Sequence, residues 1–334
     1  MKLIEMKLFE YQTHFKHPVI TPKVKLDYRK SLFVSLKMSN GKAYYGECNA
    51  FETNWYDDET ISDVISQVKY WYKTYQGQIF DSMQTVQASL EGLEGYPATR
   101  SMLVMAFYQM FYKLEQFNVP YGATVSGLTD SNLLQLRETE PQRVKLKWSD
   151  NILNDVQKVQ ALPFNLQIAI DANESLTDNE RDKLQILSEA DILYLEEPFA
   201  TLDQLMAYDT NTIPTVAIDE KATSKANIID ALHRYNVEVI IVKPFRLGGI
   251  DRVIELIDVI KQYGGKVVIG GMYEYGLSRY FTAMVAQWAD FPSDITPAGY
   301  YFEQDVVANS GILKGGSIQF EPPTVLTSRL KRIY

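Results

Sequence analysis

The sequence holds one cysteine, Cys48, and three histidines in 334 residues. A lone cysteine excludes an internal disulfide framework and a thiolate metal cluster, and it suits a reducing cytosol. The histidines are too few and too scattered for a ligand set. His14 and His17 form an H-x-x-H with no Glu or third His nearby and are read as loop residues, and His233 closes a helical run. Long apolar runs are also missing. The opening "MKLIEMKLFEYQ" is interrupted by Glu5 and Lys7, and no apolar span of membrane length follows. A cytoplasmic protein with no membrane association is therefore expected. Positive charge is the third shortage, with 33 Lys+Arg against 42 Asp+Glu and a formal charge of −9. That balance gives no footing for nucleic acid. The remainder, 46% hydrophobic and 22% charged, describes a globular chain with a large core and a small-molecule ligand.

The first third reads as an α+β unit. Residues 2–12 and 31–37 have strand character, and "SNGK" at 39–42 carries the Asn40-Gly41 signal for a tight hairpin into a third strand at 42–48. Helical stretches follow near 60–76, 81–93 and 97–116, and "NVPYG" at 118–122 ends the unit. The segments His14–Lys23 and Phe51–Asp58 are loops of the kind that carry specificity, and Tyr56 is expected to help close a pocket.

From residue 140 onward, short apolar strands alternate with helical stretches: "RVKLKW", "NLQIAIDAN", "ILYLEEP", "TVAIDE", "VEVIIVKP" and "KVVIGG". Five of these place a charge near the strand end, at Lys147, Asp171, Glu196, Asp219 and Lys243, separated by 24, 25, 23 and 24 residues. That step fits one strand, one helix and two loops. The residues flanking each charge are aliphatic, so the charges share the opposite face and point inward. Parallel strands whose C-terminal ends converge on one charged cluster describe the top of a (β/α) barrel, where such enzymes hold their active sites. Lys145 and Lys147 share that inward face. Two cations side by side suit either a solvated surface or a site where one lysine loses its proton, and the register of the series favours the site.

Three inward carboxylates, Asp171, Glu196 and Asp219, are the ligands a hard cation such as Mg²⁺ prefers. Such an ion stabilises the second negative charge that forms when a carboxylate substrate loses its α-proton. Lys145 beside Lys147, with a cation close by, favours the neutral amine at Lys147 and makes it the base. Lys243 would face the substrate from the other side.

With these motifs together, the Lys-x-Lys of "VKLKW", the Asp of "DAN", the first Glu of "EEP", the Asp of "DE" and the Lys of "VKP", the sequence resembles the muconate-lactonizing subgroup of the enolase superfamily. The resemblance runs over essentially the whole chain. It implies a modified, enolase-type (β/α) TIM-like barrel over 119–310 with an N-terminal α+β capping domain over 1–118, to which residues 311–334 return. It implies Mg²⁺ at the three acids, a Lys147/Lys243 acid–base pair, substrate contacts from Lys145 and Asn173, and a small-molecule carboxylate as substrate. "GGMYEYGLSR" at 270–279 resembles the branch that joins o-succinylbenzoate synthases to N-acylamino acid racemases, and it places Gly271 and Met272 against a succinyl arm. Read without the resemblance, Gly270 and Gly271 permit close helix packing. Dipeptide epimerases of the subgroup hold a peptide amine with an Asp-x-Asp on the last barrel strand. Here "SDITPAG" has Asp294 and no second acid. The resemblance thus implies a dehydratase acting on a cyclohexadiene carboxylate, with N-succinyl amino acid racemisation or a non-catalytic carboxylate-binding barrel as alternatives.

Three other features carry less. "RLGGID" at 246–251 lacks a phosphate-loop signature and reads as a strand-to-helix turn. Glu197 and Glu220 follow the candidate ligands and are expected to point away from the ion. "SRLKRIY" reads as a solvated basic end.

Overall fold

The computed structural model describes residues 1–21, 23–308 and 311–334. Pro22, inside the expected 14–23 loop, and Ser310, the expected last barrel residue, lie outside the described residues.

The chain opens with an antiparallel sheet of β1 (Leu3–Ile20), β2 (Lys25–Met38) and β3 (Ala43–Glu47). Gly41, at φ 82°, turns the expected tight hairpin between β2 and β3, where Lys42 N–H donates to Asn40 Oδ1. The first hairpin is longer than the sequence suggested. β1 pairs with β2 out to His14↔Tyr28 and, beyond a register shift, from Val19↔Leu26, so His14 and His17 lie on a strand and not in a loop. The cause is alternation that continues past residue 12: Tyr11 and Phe15 are buried while Gln12, His14 and Lys16 face out, and within the register shift His17 is exposed as well. Phe15 packs on Tyr273 and Phe302, and Lys16 N–H donates to Tyr301 O at 2.8 Å, so this part of the hairpin rests on Tyr273 and on residues 301–302.

Three helices cover the sheet: α1 (Ile61–Tyr75), α2 (Met83–Ser89) and α3 (Pro97–Phe111). Thr60 caps α1, reciprocally with Asp63. Glu59 accepts Ala98 N–H and Thr99 N–H at 2.6 and 3.0 Å, closing the start of α3. The third helix stops at Phe111 and not at residue 116, because the chain turns out at Tyr112 to deliver Phe117 to Phe320, ring on ring at 5.4 Å.

After β4 (Phe117–Pro120) come β5 (Gly122–Val125), α4 (Asp130–Thr139), β6 (Arg143–Lys147), α5 (Ile152–Gln160), β7 (Gln167–Asp171), α6 (Arg181–Ser188), β8 (Tyr194–Glu196), β9 (Val216–Ile218), α7 (Lys225–Arg234), β10 (Val237–Val242), α8 (Ile250–Gln262), β11 (Lys266–Ile269) and α9 (Gly276–Ala286). Strands β5 to β11 pair in chain order, all parallel. The expected alternation fails once, between β8 and β9, where a 3₁₀ stretch Leu202–Ala207 replaces an α-helix. Ring closure falls to the segment around Asp294, which bridges Gly270 in parallel. On its other side, a Cβ on Gly122 would lie 2.7 Å from Ser293 O, so only glycine lets β5 come this close. Val144, Ile168, Ile170, Leu195, Val216, Ile240 and Val242 join the large core under the helices, whereas Ala169, Tyr194, Ala217, Val239, Ile241 and Val268 form a separate inner cluster. Leu193, just ahead of β8, is the exception to the expected outward face and packs on the inner cluster.

The chain then adds β12 (Ile312–Lys314), β13 (Ser317–Phe320) and β14 (Lys331–Arg332). The basic terminus is more than solvated: β14 pairs with the edge of β1 at Phe9↔Arg332. The "RLGGID" stretch is the turn from β10 to α8. Gly248 and Gly249, at φ 87° and 131°, let α3 approach, and Arg100 donates to Asp251 Oδ1 and Oδ2 at 2.9 and 2.8 Å. Deleting one member of such a buried pair costs about 3–5 kcal/mol. Among the described residues no helix is long and apolar enough to cross a membrane.

Candidate active site

The strand register sets the level of the charges. Lys147 pairs with Asp171 across β6 and β7, and Asp171 with Glu196 across β7 and β8. Asp219 and Lys243 each stand one residue past their strands, so both project from loop starts at the same end of the barrel.

Each carboxylate is closed by a cation. Lys147 Nζ donates to Asp171 Oδ2 at 2.5 Å and to Asn173 Oδ1 at 2.8 Å. Asn173 adopts φ 46°, a left-handed conformation that asparagine tolerates, and its own N–H donates to Asp171 Oδ1. Lys145 Nζ donates to Glu196 Oε2 at 2.9 Å and to Asp294 Oδ2 at 2.7 Å. Lys243 Nζ donates to Asp219 Oδ2 at 2.5 Å and to the Tyr56 hydroxyl at 2.7 Å. Arg246 joins them, donating to Asp219 Oδ1 at 3.0 Å and to the same hydroxyl.

Burial and charge divide these groups. Burial alone would lower Lys145, but Asp294, Glu196 and Asp171 hold its ammonium well above the ordinary lysine value. Lys243 is held high in the same way, by Asp219 and Tyr56 against its burial. Burial would raise Asp219, yet Lys243 and Arg246 bring it down to about 2. Glu196 goes the other way: burial, with repulsion from Asp171, Asp294 and Asp219 outweighing the pull of Lys145, pushes it well above the carboxylate range. The three acids therefore stand within electrostatic reach of one another. They do not form a ready cage: among the described residues no three His, Cys, Asp or Glu side chains are arranged to hold a metal ion, because each acid is turned to its own cation. The donor set fits a hard divalent ion all the same, being oxygen-only and mutually repelling.

Neighbouring groups brace these side chains. Glu197, at φ 42°, accepts Asp219 N–H at 2.8 Å and Lys221 Nζ at 2.6 Å, so it faces away from the cluster and fixes the Asp219 loop. Glu220 is half-buried and pushed up to about 7 by burial and by the Asp219 charge. Gly270 lies against Lys243, where a Cβ would be 2.7 Å from its Cε, and a Cβ on Gly271 would be 2.6 Å from Glu274 Oε2. The glycine pair thus makes room for two charged side chains and not for a helix. Met272 packs with Phe51 and Phe245, and Trp55, Tyr56 and Tyr273 complete that apolar wall. A cavity of about 250 Å³ lies beside this wall, bounded by Asp57, Pro97, Phe245 and Arg246.

The structure thus brings Lys145, Lys147, Asp171, Asn173, Glu196, Asp219, Lys243 and Tyr56 to one barrel mouth, with Gly271 and Met272 at its wall. Sequence reasoning missed Arg246 and Arg143. Arg246 follows its strand, where parity gives no signal. Arg143 had one: it shares the parity of Lys145 and Lys147 in "RVKLK".

The enolase C-terminal domain-like family model matches residues 131–322, so the chain belongs to the enolase superfamily. Among curated relatives, the o-succinylbenzoate synthase of Bacillus subtilis is 24% identical over 332 residues, covering 92% of this chain and 88% of that protein. The N-succinylamino acid racemase of Thermus thermophilus is 26% identical over 266 residues, covering 72% and 71%. A dipeptide epimerase from Enterococcus faecalis, solved with Mg and L-Leu-L-Tyr, is 18% identical with a TM-score of 0.80, over 99% of this chain and 100% of that one.

Proposed function

We propose that this protein is an o-succinylbenzoate synthase, which converts 2-succinyl-6-hydroxy-2,4-cyclohexadiene-1-carboxylate to 2-succinylbenzoate by syn loss of water. The likeness to the Bacillus subtilis synthase supports the substrate class, and the Mg held by the Enterococcus epimerase supports a divalent ion at Asp171, Glu196 and Asp219. Bound there, Mg²⁺ would supply Lewis-acid stabilisation of the enediolate. On this reading the cap is residues 1–118 with 311–334, and the barrel is 119–310.

The observation that carries the proposal is the inequality of the two lysines. The Lys243 side chain is 7% exposed and fixed between Asp219 and Tyr56, whereas the Lys147 side chain is 35% exposed. Syn dehydration needs one accessible base and one enclosed charge. Lys147 acts as the base: its Nζ takes the α-proton and then delivers it to the departing hydroxyl on the same face; the C–H and C–O bonds break and water leaves. Lys243 keeps its proton and stabilises the enediolate from across the mouth. Lys145 and Asn173 orient the carboxylate, while Met272 and Tyr56 close on the ring.

Racemisation of an N-succinyl amino acid is the second reading, favoured by Lys147 and Lys243 standing at the ends of strands four steps apart in the ring. The test pairs a dehydration assay with incubation of N-succinyl amino acids in D₂O. Efficient Mg²⁺-dependent dehydration, abolished in Lys147→Ala, with slower or no racemisation is expected. Rapid racemisation with negligible dehydration reverses the two readings, and no reaction with either substrate favours a non-catalytic carboxylate-binding barrel.

A further inference from the structure

Strand β6 sends three cations inward, Arg143, Lys145 and Lys147, one per layer of the barrel. Lys147 has Asp171. Arg143 and Lys145 share a single carboxylate, that of Asp294 on the closing segment. Oδ1 takes Arg143 and Oδ2 takes Lys145 at 2.7 Å. Arg143 is fully buried, donates its other arm to the Tyr194 hydroxyl at 2.6 Å, and lies against Gly122, where a Cβ would come 2.7 Å from Nη2. It stands below the mouth, beyond reach of a substrate, and its position is fixed on three sides.

The other close partner of Lys145 is Glu196, one of the three carboxylates proposed for the divalent ion, and Asp171, another of the three, lies 3.9 Å from the same Nζ. When Glu196 turns to that ion, Lys145 loses its closest acid on the β8 side. A buried ammonium without a partner is costly, and a lysine stem is flexible enough to swing away. We propose that Asp294, pinned from below by Arg143, is the permanent counter-ion that keeps Lys145 in place during this exchange, so that Asp294 and Arg143 are positioning residues for carboxylate binding. This deepens the proposed function and rests on it for the role of Lys145. Because the Asp294 charge is already balanced by two cations, it attracts a substrate ammonium only weakly, which favours substrates whose amine is absent or acylated.

Crystal structures without and with Mg²⁺ test the exchange directly, independently of turnover. The expected result is that Lys145 Nζ leaves Glu196 and stays within hydrogen-bond distance of Asp294. A Mg²⁺-soaked structure in which Lys145 still holds Glu196, or has left Asp294, overturns the proposal. Kinetics supply the second arm. Asp294→Asn strands the buried Arg143 charge, so it is accompanied by the balanced double variant Arg143→Met/Asp294→Asn, which removes both charges together. In each folded variant KM for the carboxylate substrate rises about tenfold or more, with a smaller fall in kcat, and adding Lys145→Met brings no further rise. An unchanged KM, or a rise of the same size in the Lys145→Met background, shows that the pair acts only on the fold. If the unsubstituted protein turns over neither substrate, the functional reading fails while the two crystal structures still decide the position of Lys145.

Discussion

The two sides of the barrel mouth are built on opposite plans. On the β6 side, Lys147 is held by short polar neighbours, Asp171 and Asn173, and a third of its side chain remains open to solvent. On the β10 side, Lys243 is enclosed by Asp219, Arg246 and a tyrosine that arrives from a different layer of the molecule. Two lysines of identical chemistry are thereby given different freedoms. The contrast lies in the partners of each lysine and not in its position at a strand end.

The most severe way to break the contrast is to keep the charge and remove the base. Lys147→Arg keeps a cation but removes a group able to give up its proton, and dehydration is expected to fall by about 10³-fold. Lys243→Arg also keeps the cation, and here only charge is required, so a loss nearer tenfold is expected in the same steady-state assay. Equal losses at the two positions would remove the asymmetry. Comparable in size to Lys147→Arg, Asp219→Asn removes one of the carboxylates proposed for the ion and the counter-charge of Lys243 at once. Mg²⁺ affinity by calorimetry and nearly all turnover should be lost, with an unchanged circular dichroism spectrum. Tyr56→Ala is milder: it opens the apolar wall and frees one Lys243 bond, raising KM for a bulky carboxylate more than it lowers kcat.

The smallest effect is on acid stability. Asp219 is brought down to about 2 in the folded chain by Lys243 and Arg246. A lowered carboxylate stabilises the fold above its ordinary pKa near 4 and loses that contribution as pH falls towards 2. Acid unfolding of Asp219→Asn, followed by circular dichroism, is therefore expected to be less steep than that of the parent between pH 4 and about 2.

Much of this was legible in "RVKLKW" and the strands after it, because a spacing near 24 residues and a two-residue parity together constrain both the strand ends and their inward face. Two things were not. Strand β5, four residues of Gly122–Val125, carries no charge and no long apolar run, so its place in the ring rests on pairing with β6 and on contact with Ser293, a residue far along the chain. The pairing of each acid with its own lysine was hidden for a related reason: parity says which side chains face inward but not which neighbour each selects. Asp294 illustrates the limit. It read as a lone acid, whereas in the fold it holds two cations from one strand.

The pairing of Phe9 with Arg332 ties nearly the first residues to nearly the last. During synthesis the outer edge of β1 stays open until the entire ring has left the ribosome, and a long open edge is a template for other chains. The order of manufacture thus exposes this edge early and protects it late. A fragment ending at residue 118 would lack that cover, and shielding of β1, by a chaperone in the cell or by low concentration in a refolding vessel, is expected to raise the yield of intact protein.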